Sequence, residues 1–205
     1  DMQKIAILGG TFNPIHNGHI HLAKQFAERI NADKVLLIPT FKPPHKTVKD
    51  FASNNDRLQM CRLAAKETNF EVSDIEFRRK GISYTSDTLK ELKKEYPNSE
   101  FYFISGEDMF LTLKKWHEPN TIFKLAVVCA APRSNDGMQP LLNYAGELEK
   151  IGAKSLIEDI KYLPISSTMV RNAVKNGKDI EKLVPMKVAD YIAKNNLYLE
   201  RKNGY

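Results

Sequence analysis

The sequence predicts an α/β protein: a doubly wound, Rossmann-like parallel sheet with helices on both faces and a small helical C-terminal part. Two observations lead to this prediction. Short apolar runs alternate with amphipathic helical stretches along most of the chain, which is typical of α/β folds. In addition, a strand, a glycine-rich turn, a helix and a second strand follow one another up to Pro39, and such a βαβ unit forms a right-handed parallel crossover.

The first predicted strand is the apolar run Ile5–Leu8, which two glycines close. Beyond the turn, apolar residues recur at helical spacing from Ile20 to Ile30 with charged residues between them, and this pattern predicts an amphipathic helix. Lys34–Pro39 is predicted to be the second buried strand.

The turn that joins the first strand to the first helix, Gly9–His19, has the features of an anion site. Glycines let backbone N–H groups approach a ligand closely, and the helix N-terminus adds unpaired donors and a partial positive charge. Together these features usually bind phosphate. If His16 and His19 both lie in the first helical turn, they share a face, and Gly18 leaves room between them.

The same turn has alternatives to a phosphate site. The two common phosphate loops, G-x-x-x-x-G-K-[ST] and G-x-G-x-x-G, are both absent from it. The two histidines could instead bind a metal ion or simply lie at the surface. A catalytic zinc site usually needs a third protein ligand, and no third His or Cys stands at a telling spacing. The preceding strand and glycines therefore favour phosphate binding.

The rest of the chain continues the alternation of strands and helices. We expect the piece Ile75–Lys80 to be extended. The other predicted strands are Phe70–Ser73, Phe101–Ile104, Leu125–Ala130 and Ile160–Leu163. Two further helices are predicted to begin near Ser53–Asp56 and in Ile82–Leu89. Two more are predicted from apolar residues at helical spacing, one from Leu141, Leu142, Ala145 and Leu148 and one from Val184, Val188, Tyr191 and Ile192.

Several polar groups follow predicted strands, at the edge where parallel α/β sheets bind their ligands. Two prolines hold the loop Thr40–Lys46 extended, so Lys46, with Lys42 and His45 nearby, is a candidate phosphate clamp, although a solvated basic loop would explain it too. After the fourth strand, Gly106-Glu107-Asp108 offers acceptors for ribose hydroxyls.

Two further stretches have both a functional and a structural interpretation. Trp116 is the only tryptophan and lies in a polar stretch, so it is either a stacking platform for a flat ligand or partly buried against a helix. Thr85 and Ser86 are natural N-cap residues, but the same helix N-terminus could bind a carboxylate or a phosphate.

The last candidate motif is Pro164–Arg171. Ser166, Ser167 and Thr168 precede a predicted helix, and Arg171 follows one turn later. Hydroxyls and free N–H groups at a helix start suit phosphate oxygens, and arginine offers a bidentate, permanently charged fork. Taken with Gly9–His19 in one sheet, this motif predicts the second half of a triphosphate site.

Composition sets limits on the class of protein. A chain of 205 residues with 42% hydrophobic and 27% charged residues suits one soluble domain. The net charge of +6 suits polyanionic ligands, but no block of like charges indicates a nucleic-acid tail. Cys61 and Cys129 lie in apolar patterns, which favours a reducing, cytoplasmic setting. We expect no signal peptide and no membrane span, and Asp1 before Met2 resembles a cloning remnant.

Segments spread over nearly the whole chain match one family together: the sequence resembles the bacterial nicotinate mononucleotide adenylyltransferases. Of the five matching segments, the first and last mark the superfamily of nucleotidyltransferases with the HxGH motif. The middle three point to the nicotinate mononucleotide adenylyltransferases within it. The matching segments are Gly9–His19, Pro43–Lys46, Ser83–Leu89, Gly106-Glu107-Asp108-Met109 through Trp116, and Ile165–Thr168 with Arg171.

The resemblance implies one nucleotidyltransferase domain over residues 1–205, with the last motif and the closing helices from about 160 to 205. It implies the reaction of ATP with nicotinate mononucleotide to give deamido-NAD and pyrophosphate, with Mg²⁺ bound through the ATP phosphates rather than by the protein. It implies that the protein binds ATP and nicotinate mononucleotide, and it allows a homodimer. Neither a nucleic acid nor a membrane is an expected partner.

The resemblance also implies the site residues. Those that would act in catalysis are His16, His19, Lys46 and Arg171, those that would bind ATP are Gly9, Gly10, Thr11, Phe12, His16, His19, Ser166, Ser167, Thr168 and Arg171, and those that would bind nicotinate mononucleotide are Lys46, Thr85, Gly106, Asp108 and Trp116.

Three positions depart from the family pattern. Position 13 is Asn where Asp is usual, position 107 is Glu where a small residue is common, and the loop after Arg133 lacks the usual Pro-Gly. Two other functions stay open: nicotinamide mononucleotide as the preferred acceptor, and a nucleotide-binding or RNA-binding module without turnover. Phosphopantetheine as the acceptor fits less well, because the chain carries the Thr85 and Trp116 segments.

Overall fold

The structure is a computed structural model that describes residues 2–44 and 51–199. Its centre is a parallel sheet of six strands in the order β3-β2-β1-β4-β5-β6. The strands are β1 (Gln3–Gly10), β2 (Lys34–Pro39), β3 (Glu71–Val72), β4 (Ser99–Ile104), β5 (Ala126–Ala130) and β6 (Ser155–Ile157).

Helices connect the strands, and two more follow the last strand. They are α1 (Asn17–Ile30), α2 (Asn54–Lys66), α3 (Ile75–Arg79), α4 (Thr85–Glu95), α5 (Glu107–Phe110), α6 (Pro119–Leu125), α7 (Met138–Lys150), α8 (Ser167–Lys175) and α9 (Met186–Lys194), with a 3₁₀ turn at Leu113–Lys115.

The strand order reverses at β1, which pairs with β2 on one side and β4 on the other. At such a point the helices that follow the two inner strands depart to opposite faces and leave a crevice at the carboxyl ends, where open α/β sheets bind ligands. Gly10, the last residue of β1, pairs with Pro39 of β2. The predicted doubly wound sheet is confirmed.

Each face of the sheet has its own apolar core. Along β1 the buried side chains alternate, because successive residues of a strand point to opposite faces. Ala6 and Leu8 join the cluster beneath α1, α2, α8 and α9. Ile5 and Ile7 join the cluster beneath α3 to α7. Full burial of one such aliphatic side chain stabilises the fold by about 1.5–3 kcal/mol.

Two predicted elements were wrong. Ile75–Arg79 is a short helix rather than an extended piece, and the Asp74–Arg78 pair at i, i+4 closes over its first turn at 2.8 Å. The sixth strand is Ser155–Ile157, not Ile160–Leu163. Ile160 is buried, but it lies in the segment after that edge strand, so its burial reflects packing in the core and not strand pairing.

The predicted inner faces of the helices are largely confirmed. Leu141 and Leu148 of α7 are buried, whereas Leu142, predicted to lie on the same face, is 46% exposed. Cys61 and Cys129 are both buried and free, as expected. In the part of the chain that the structure describes, the longest helix has 14 residues, and none is long and apolar enough to cross a bilayer.

Candidate active site

The N-terminus of α1 is capped by the two histidines of the turn. His16 is the N-cap residue, and its Nδ1 atom accepts the backbone N–H of Gly18 at 3.0 Å. His19 reaches back, and its Nδ1 atom accepts the backbone N–H of His16 at 3.1 Å. This is a capping box built from imidazoles instead of a hydroxyl and a carboxylate. It fixes both rings, which stack with their centroids 3.6 Å apart.

The capping contacts determine the proton positions on the two rings. A neutral imidazole whose Nδ1 accepts a hydrogen bond carries its proton on Nε2. Burial, helped by the charge of Arg133, lowers the pKa of His16 to about 4. Burial and the neighbouring His16 lower the pKa of His19 well below its ordinary value. At neutral pH the pair therefore offers two Nε2–H donors and no net charge.

Tight packing around the turn keeps the rings in place. A Cβ atom on Gly18 would lie 2.8 Å from Cε1 and 2.9 Å from Nδ1 of His16, so only glycine fits beside that ring. Phe12 is buried in the left-handed region at φ 51°, and its ring meets His19 edge-on at 5.0 Å. Gly10 lies against this ring, because a Cβ there would be 3.2 Å from Phe12 Cε1.

The N-terminus of α8 packs directly against the same turn. Ser167 donates its hydroxyl to the backbone oxygen of Pro14 at 2.8 Å. Arg171 donates Nη1 to the backbone oxygen of Asn13 at 2.8 Å and Nη2 to Thr168 at 3.2 Å. Ser166 caps α8, since its Oγ accepts the backbone N–H of Met169 at 3.1 Å. The structure thus brings together the two predicted phosphate motifs.

Asn13, one of the departures from the family pattern, is a buried junction of the fold. Its Oδ1 atom accepts the backbone N–H of Ala52 at 3.0 Å and the hydroxyl of Tyr198 at 2.8 Å. An amide oxygen has two lone pairs, so these two donors occupy it. Asn13 is therefore a structural link between the turn, the start of α2 and the C-terminal segment, and its oxygen is poorly suited to hold a metal ion.

The predicted acceptor-side residues follow β4 and open α4. Thr85 is the first residue of α4, and Gly106 is the N-cap of α5, which contains the exposed Asp108. Trp116 is half-buried, donates Nε1–H to Thr112 at 3.0 Å and meets Phe103 edge-on. Both interpretations of Trp116 thus keep some support, because one edge packs on the core while part of the side chain stays exposed.

The remaining candidate residues and departures from the family pattern lie around the same site or outside the described residues. Lys46 and His45 lie outside the described residues. Arg133 is exposed, yet its charge lowers the pKa of His16, so it belongs to the surroundings of the histidine pair. The side chain of Glu107 lies against Gly137, where any Cβ atom would collide with it.

Sequence reasoning missed Arg57, a completely buried arginine. It donates to the backbone oxygen of Thr11 at 2.6 Å and to Asn54 at 2.7 Å. Within residues 2–44 and 51–199 no carboxylate pairs with it, and burial lowers its pKa. Its spacing of four and seven residues from Cys61 and Ala64 was the signal that it faces inward.

The network around Glu76 was missed as well. Glu76 is a buried carboxylate on α3, and the hydroxyl of Thr88 donates to it at 2.8 Å. Ser83 is buried beside it and accepts the backbone N–H groups of Phe41 and Lys42. No pattern could indicate this network while Ile75–Lys80 was expected to be extended.

Among the described residues, 2–44 and 51–199, no group of three or more His, Cys, Asp or Glu side chains is placed to hold a metal ion. The histidine pair uses both Nδ1 atoms in capping, which leaves the Nε2–H groups as donors to anions. The arrangement can therefore bind and polarise phosphate groups with backbone donors, hydroxyls, imidazoles and arginine.

Comparison with known proteins agrees with this geometry. Residues 7–173 match the cytidylyltransferase-like family. The chain is 39% identical over 199 residues to a protein of Clostridium novyi named "Probable nicotinate-nucleotide adenylyltransferase", with 96% of this chain and 100% of that protein covered. A protein of the same name from Desulfitobacterium hafniense is 41% identical over 201 residues, with 96% of each chain covered.

Solved structures share the fold. Two structures of Plasmodium falciparum nicotinic acid mononucleotide adenylyltransferase, complexed with NaAD and with APC, align with TM-scores of 0.76 and 0.74. Each is 21% identical in sequence and is matched over 97% of its length by 96% of this chain.

Proposed function

Because this chain belongs to the cytidylyltransferase-like family and, within it, to the nicotinate-nucleotide adenylyltransferases, we propose that it transfers the AMP unit of ATP to nicotinate mononucleotide. The products are deamido-NAD and pyrophosphate, as a step of NAD biosynthesis. The chain is an enzyme of the nucleotidyltransferase class.

One observation carries this proposal: the N-termini of α1 and α8 meet at the carboxyl end of β1, where the sheet order reverses. Each helix N-terminus adds unpaired N–H groups and a partial positive charge. Two such termini side by side, with two imidazole donors at the start of α1, suit a polyphosphate better than a single phosphate. This is the requirement of a site that binds the triphosphate of ATP.

On the ATP side, we assign the phosphates to Gly9–Phe12, the Nε2–H groups of His16 and His19, and the start of α8 with Ser166, Ser167, Thr168 and Arg171. Because the histidines are neutral, they contribute hydrogen bonds and not charge. The positive charge then comes from Arg171, from the two helix N-termini and from Lys46, which lies outside the described residues.

The reaction needs no protein nucleophile. A 5′-phosphate oxygen of nicotinate mononucleotide attacks the α-phosphorus of ATP, a new P–O bond forms, the bond between that phosphorus and the bridging oxygen breaks, and pyrophosphate leaves. The protein aligns the two phosphates and stabilises the charge that moves to the leaving group. The donors that bind the phosphates are therefore also the catalytic groups.

On the acceptor side, we assign the nicotinate to Thr85 and Trp116 and the nucleotide to Gly106, Asp108 and Lys46. A carboxylate is favoured at a helix N-terminus, and Thr85 stands at the first position of α4. Trp116 keeps an exposed part of its ring for stacking on the flat pyridine.

Nucleotidyltransferases that use ATP usually need a divalent metal ion, and we propose that it is Mg²⁺ here. The occupied Oδ1 of Asn13 argues that the ion is carried by the ATP phosphates instead of by this side chain. When bound, Mg²⁺ supplies additional neutralisation of the phosphate charge. The protein residues supply orientation and hydrogen bonds to the same oxygens.

The setting is part of the proposal too. We propose one domain over residues 1–205, and the two free, buried cysteines support a reducing, cytoplasmic location. The basic net charge of +6 is assigned to binding nucleotides rather than nucleic acid. A homodimer stays a prediction.

The proposed AMP transfer can be tested by following labelled phosphorus atoms of ATP into the products. ATP labelled with ³²P at the α-position is incubated with the protein, Mg²⁺ and nicotinate mononucleotide, and the label is followed by chromatography. The proposal predicts that the label moves into a dinucleotide, while label at the γ-position moves into pyrophosphate. A module that binds nucleotide without turnover would leave both labels in ATP.

A further inference from the structure

Glu76 is a buried carboxylate that lies outside the proposed phosphate site. It lies on α3 with only 8% of its surface exposed. A buried carboxylate is unfavourable unless hydrogen bonds and nearby positive charge compensate for lost water. Its Oε2 atom accepts the hydroxyl of Thr88 at 2.8 Å. Burial raises the pKa of Glu76, while Thr88, Ser83 and Arg79 act in the opposite direction.

Ser83 connects this carboxylate to the loop after β2. Its Oγ atom accepts the backbone N–H of Phe41 at 3.1 Å and that of Lys42 at 3.2 Å. With both acceptor sites of the hydroxyl occupied, its proton is left to donate, and Glu76 is the group with which it interacts. The backbone N–H of Ser83 also donates to the oxygen of Lys42 at 2.9 Å.

Thr88 connects the same carboxylate to the first turn of α4. It follows Thr85, the first residue of α4, by one turn. A hydroxyl has one proton, and the shortest contact of the Thr88 hydroxyl is the one to Glu76. Arg79 donates to the Thr88 oxygen at 3.0 Å, so positive charge stands next to the network.

These contacts make Glu76 the common support of two segments, the residues Phe41 and Lys42 after β2 and the N-terminus of α4. The second of these is the helix start assigned to the acceptor under the proposed function. We infer that Glu76 is a positioning residue that sets the preference for the carboxylate-bearing acceptor over its amide. The inference rests on the proposed function.

Selectivity between an acid and an amide depends on position because both groups fit the same volume. The acid needs N–H groups or cations on both oxygens, whereas the amide needs an acceptor for its NH₂ group. A displacement of about 1 Å in such a constellation can cost on the order of 10²-fold in rate. Glu76 is buried, so its effect on the acceptor would pass through the two segments that it supports.

The test uses three variants of the full chain. Glu76→Gln keeps the size but removes the negative charge and replaces one acceptor oxygen by an NH₂ group, which only donates, so a hydroxyl that faces this group loses its acceptor. Ser83→Ala removes the link to the loop alone and is the second variant if the first does not fold. Glu95→Gln is the matched control, because it is the same substitution at an exposed residue. Glu95 is the last residue of α4 and forms an ion pair with Arg78 of α3.

We expect Glu76→Gln and Ser83→Ala to raise the KM for nicotinate mononucleotide about tenfold. The KM for ATP should stay within about twofold, and the ratio of kcat/KM for nicotinate over nicotinamide mononucleotide should fall by the same factor of about ten. Glu95→Gln should leave all of these values unchanged.

Two results would overturn the inference. An unchanged acid-to-amide ratio in folded Glu76→Gln and Ser83→Ala would remove the role. An equal loss with both acceptors, accompanied by a lower melting temperature, would make the network merely structural. The wild-type enzyme separates this inference from the proposed function. If the wild type turns over neither acceptor, the proposed function is wrong. If the wild type is active and the variants keep its acid-to-amide ratio, only the role of Glu76 is excluded.

Discussion

The imidazole rings of His16 and His19 stack with their centroids 3.6 Å apart, and each ring holds its Nδ1 atom on a backbone N–H group. The two histidines thus have a structural role at the start of α1 and a chemical one at the same time. Capping fixes the tautomer, and the fixed tautomer presents Nε2–H groups. We therefore propose that the pair acts as a neutral hydrogen-bond donor to phosphate and not as a cation.

The tautomers of the two rings can be measured directly. We expect ¹⁵N NMR of the imidazoles at pH 7 to show protonated Nε2 and unprotonated Nδ1 for both His16 and His19, because both Nδ1 atoms accept backbone hydrogen bonds. His21, which contacts the oxygen of Lys161 with Nε2, is an internal comparison. An imidazolium spectrum, or a proton on Nδ1 of either ring, would contradict the capping geometry.

The lowered pKa of His16 predicts how stability depends on pH. Its pKa falls from 6.5 in the unfolded chain to about 4 in the fold, so between these values the unfolded state binds more protons. This contribution to the free energy of unfolding is fully present above pH 6.5 and is lost as pH falls towards 4, by on the order of 3 kcal/mol.

The measurement for this prediction is urea unfolding from pH 4 to 8. His16→Asn keeps a capping acceptor but does not titrate, so it should unfold with a shallower pH dependence than the wild type. If the two curves of unfolding free energy against pH run parallel, His16 is not the group responsible.

Removing one donor should impair turnover while the fold persists. His19→Ala deletes the Nε2–H donor, and loss of one well-placed donor typically lowers kcat by about 10²–10³-fold. The assay is pyrophosphate release, with circular dichroism as the check on folding. His21→Ala, the same substitution two residues further along α1, should keep wild-type turnover. Turnover of folded His19→Ala at the wild-type rate would exclude the assigned role.

The space beside His16 should tolerate no side chain. In Gly18→Ala the new Cβ atom would lie 2.8 Å from Cε1 of His16, so the ring must leave its capping position. We expect kcat/KM to fall by about 10²-fold, because the donor is displaced by about 1 Å or more.

Gly146→Ala is the control for that variant, because its added Cβ would meet no atom within 4 Å other than its chain neighbours and the nearby backbone of its own helix. It lies inside α7, so alanine should stabilise the protein by about 0.5–1 kcal/mol and leave turnover unchanged. Equal activity of Gly18→Ala and Gly146→Ala would show that the position of the His16 ring does not matter.

Most of the fold could be predicted because its signals are local. Buried strands such as Ile5–Leu8 and Lys34–Pro39 are continuous apolar runs, and the helix after the turn has a clear apolar stripe. Edge elements are harder to predict. Ser155–Ile157 is half-buried and, among the described residues, pairs with β5 alone, so its pattern is weak. The buried Ile160 gives a stronger apolar signal in the segment that follows.

The site was only partly predictable for a similar reason. Motifs at a helix N-terminus, such as His16 with His19 and Ser166 with Arg171, are contiguous in sequence, and each suggests its chemistry alone. The contact of Arg57 with Thr11 joins residues 46 positions apart, and the Glu76 network depends on a helix that the pattern did not reveal. Such contacts arise from the tertiary structure, and no local pattern encodes them.

The most direct test of the central claim is pyrophosphate release from ATP and Mg²⁺ with nicotinate mononucleotide and with nicotinamide mononucleotide, measured side by side. The account predicts a kcat/KM about 10- to 100-fold higher for the acid, because each hydrogen bond to a charged group is worth about 1.5–3 kcal/mol. Equal values would contradict the assignment of Thr85 and the start of α4 to a carboxylate. No release with either acceptor would contradict the proposed reaction.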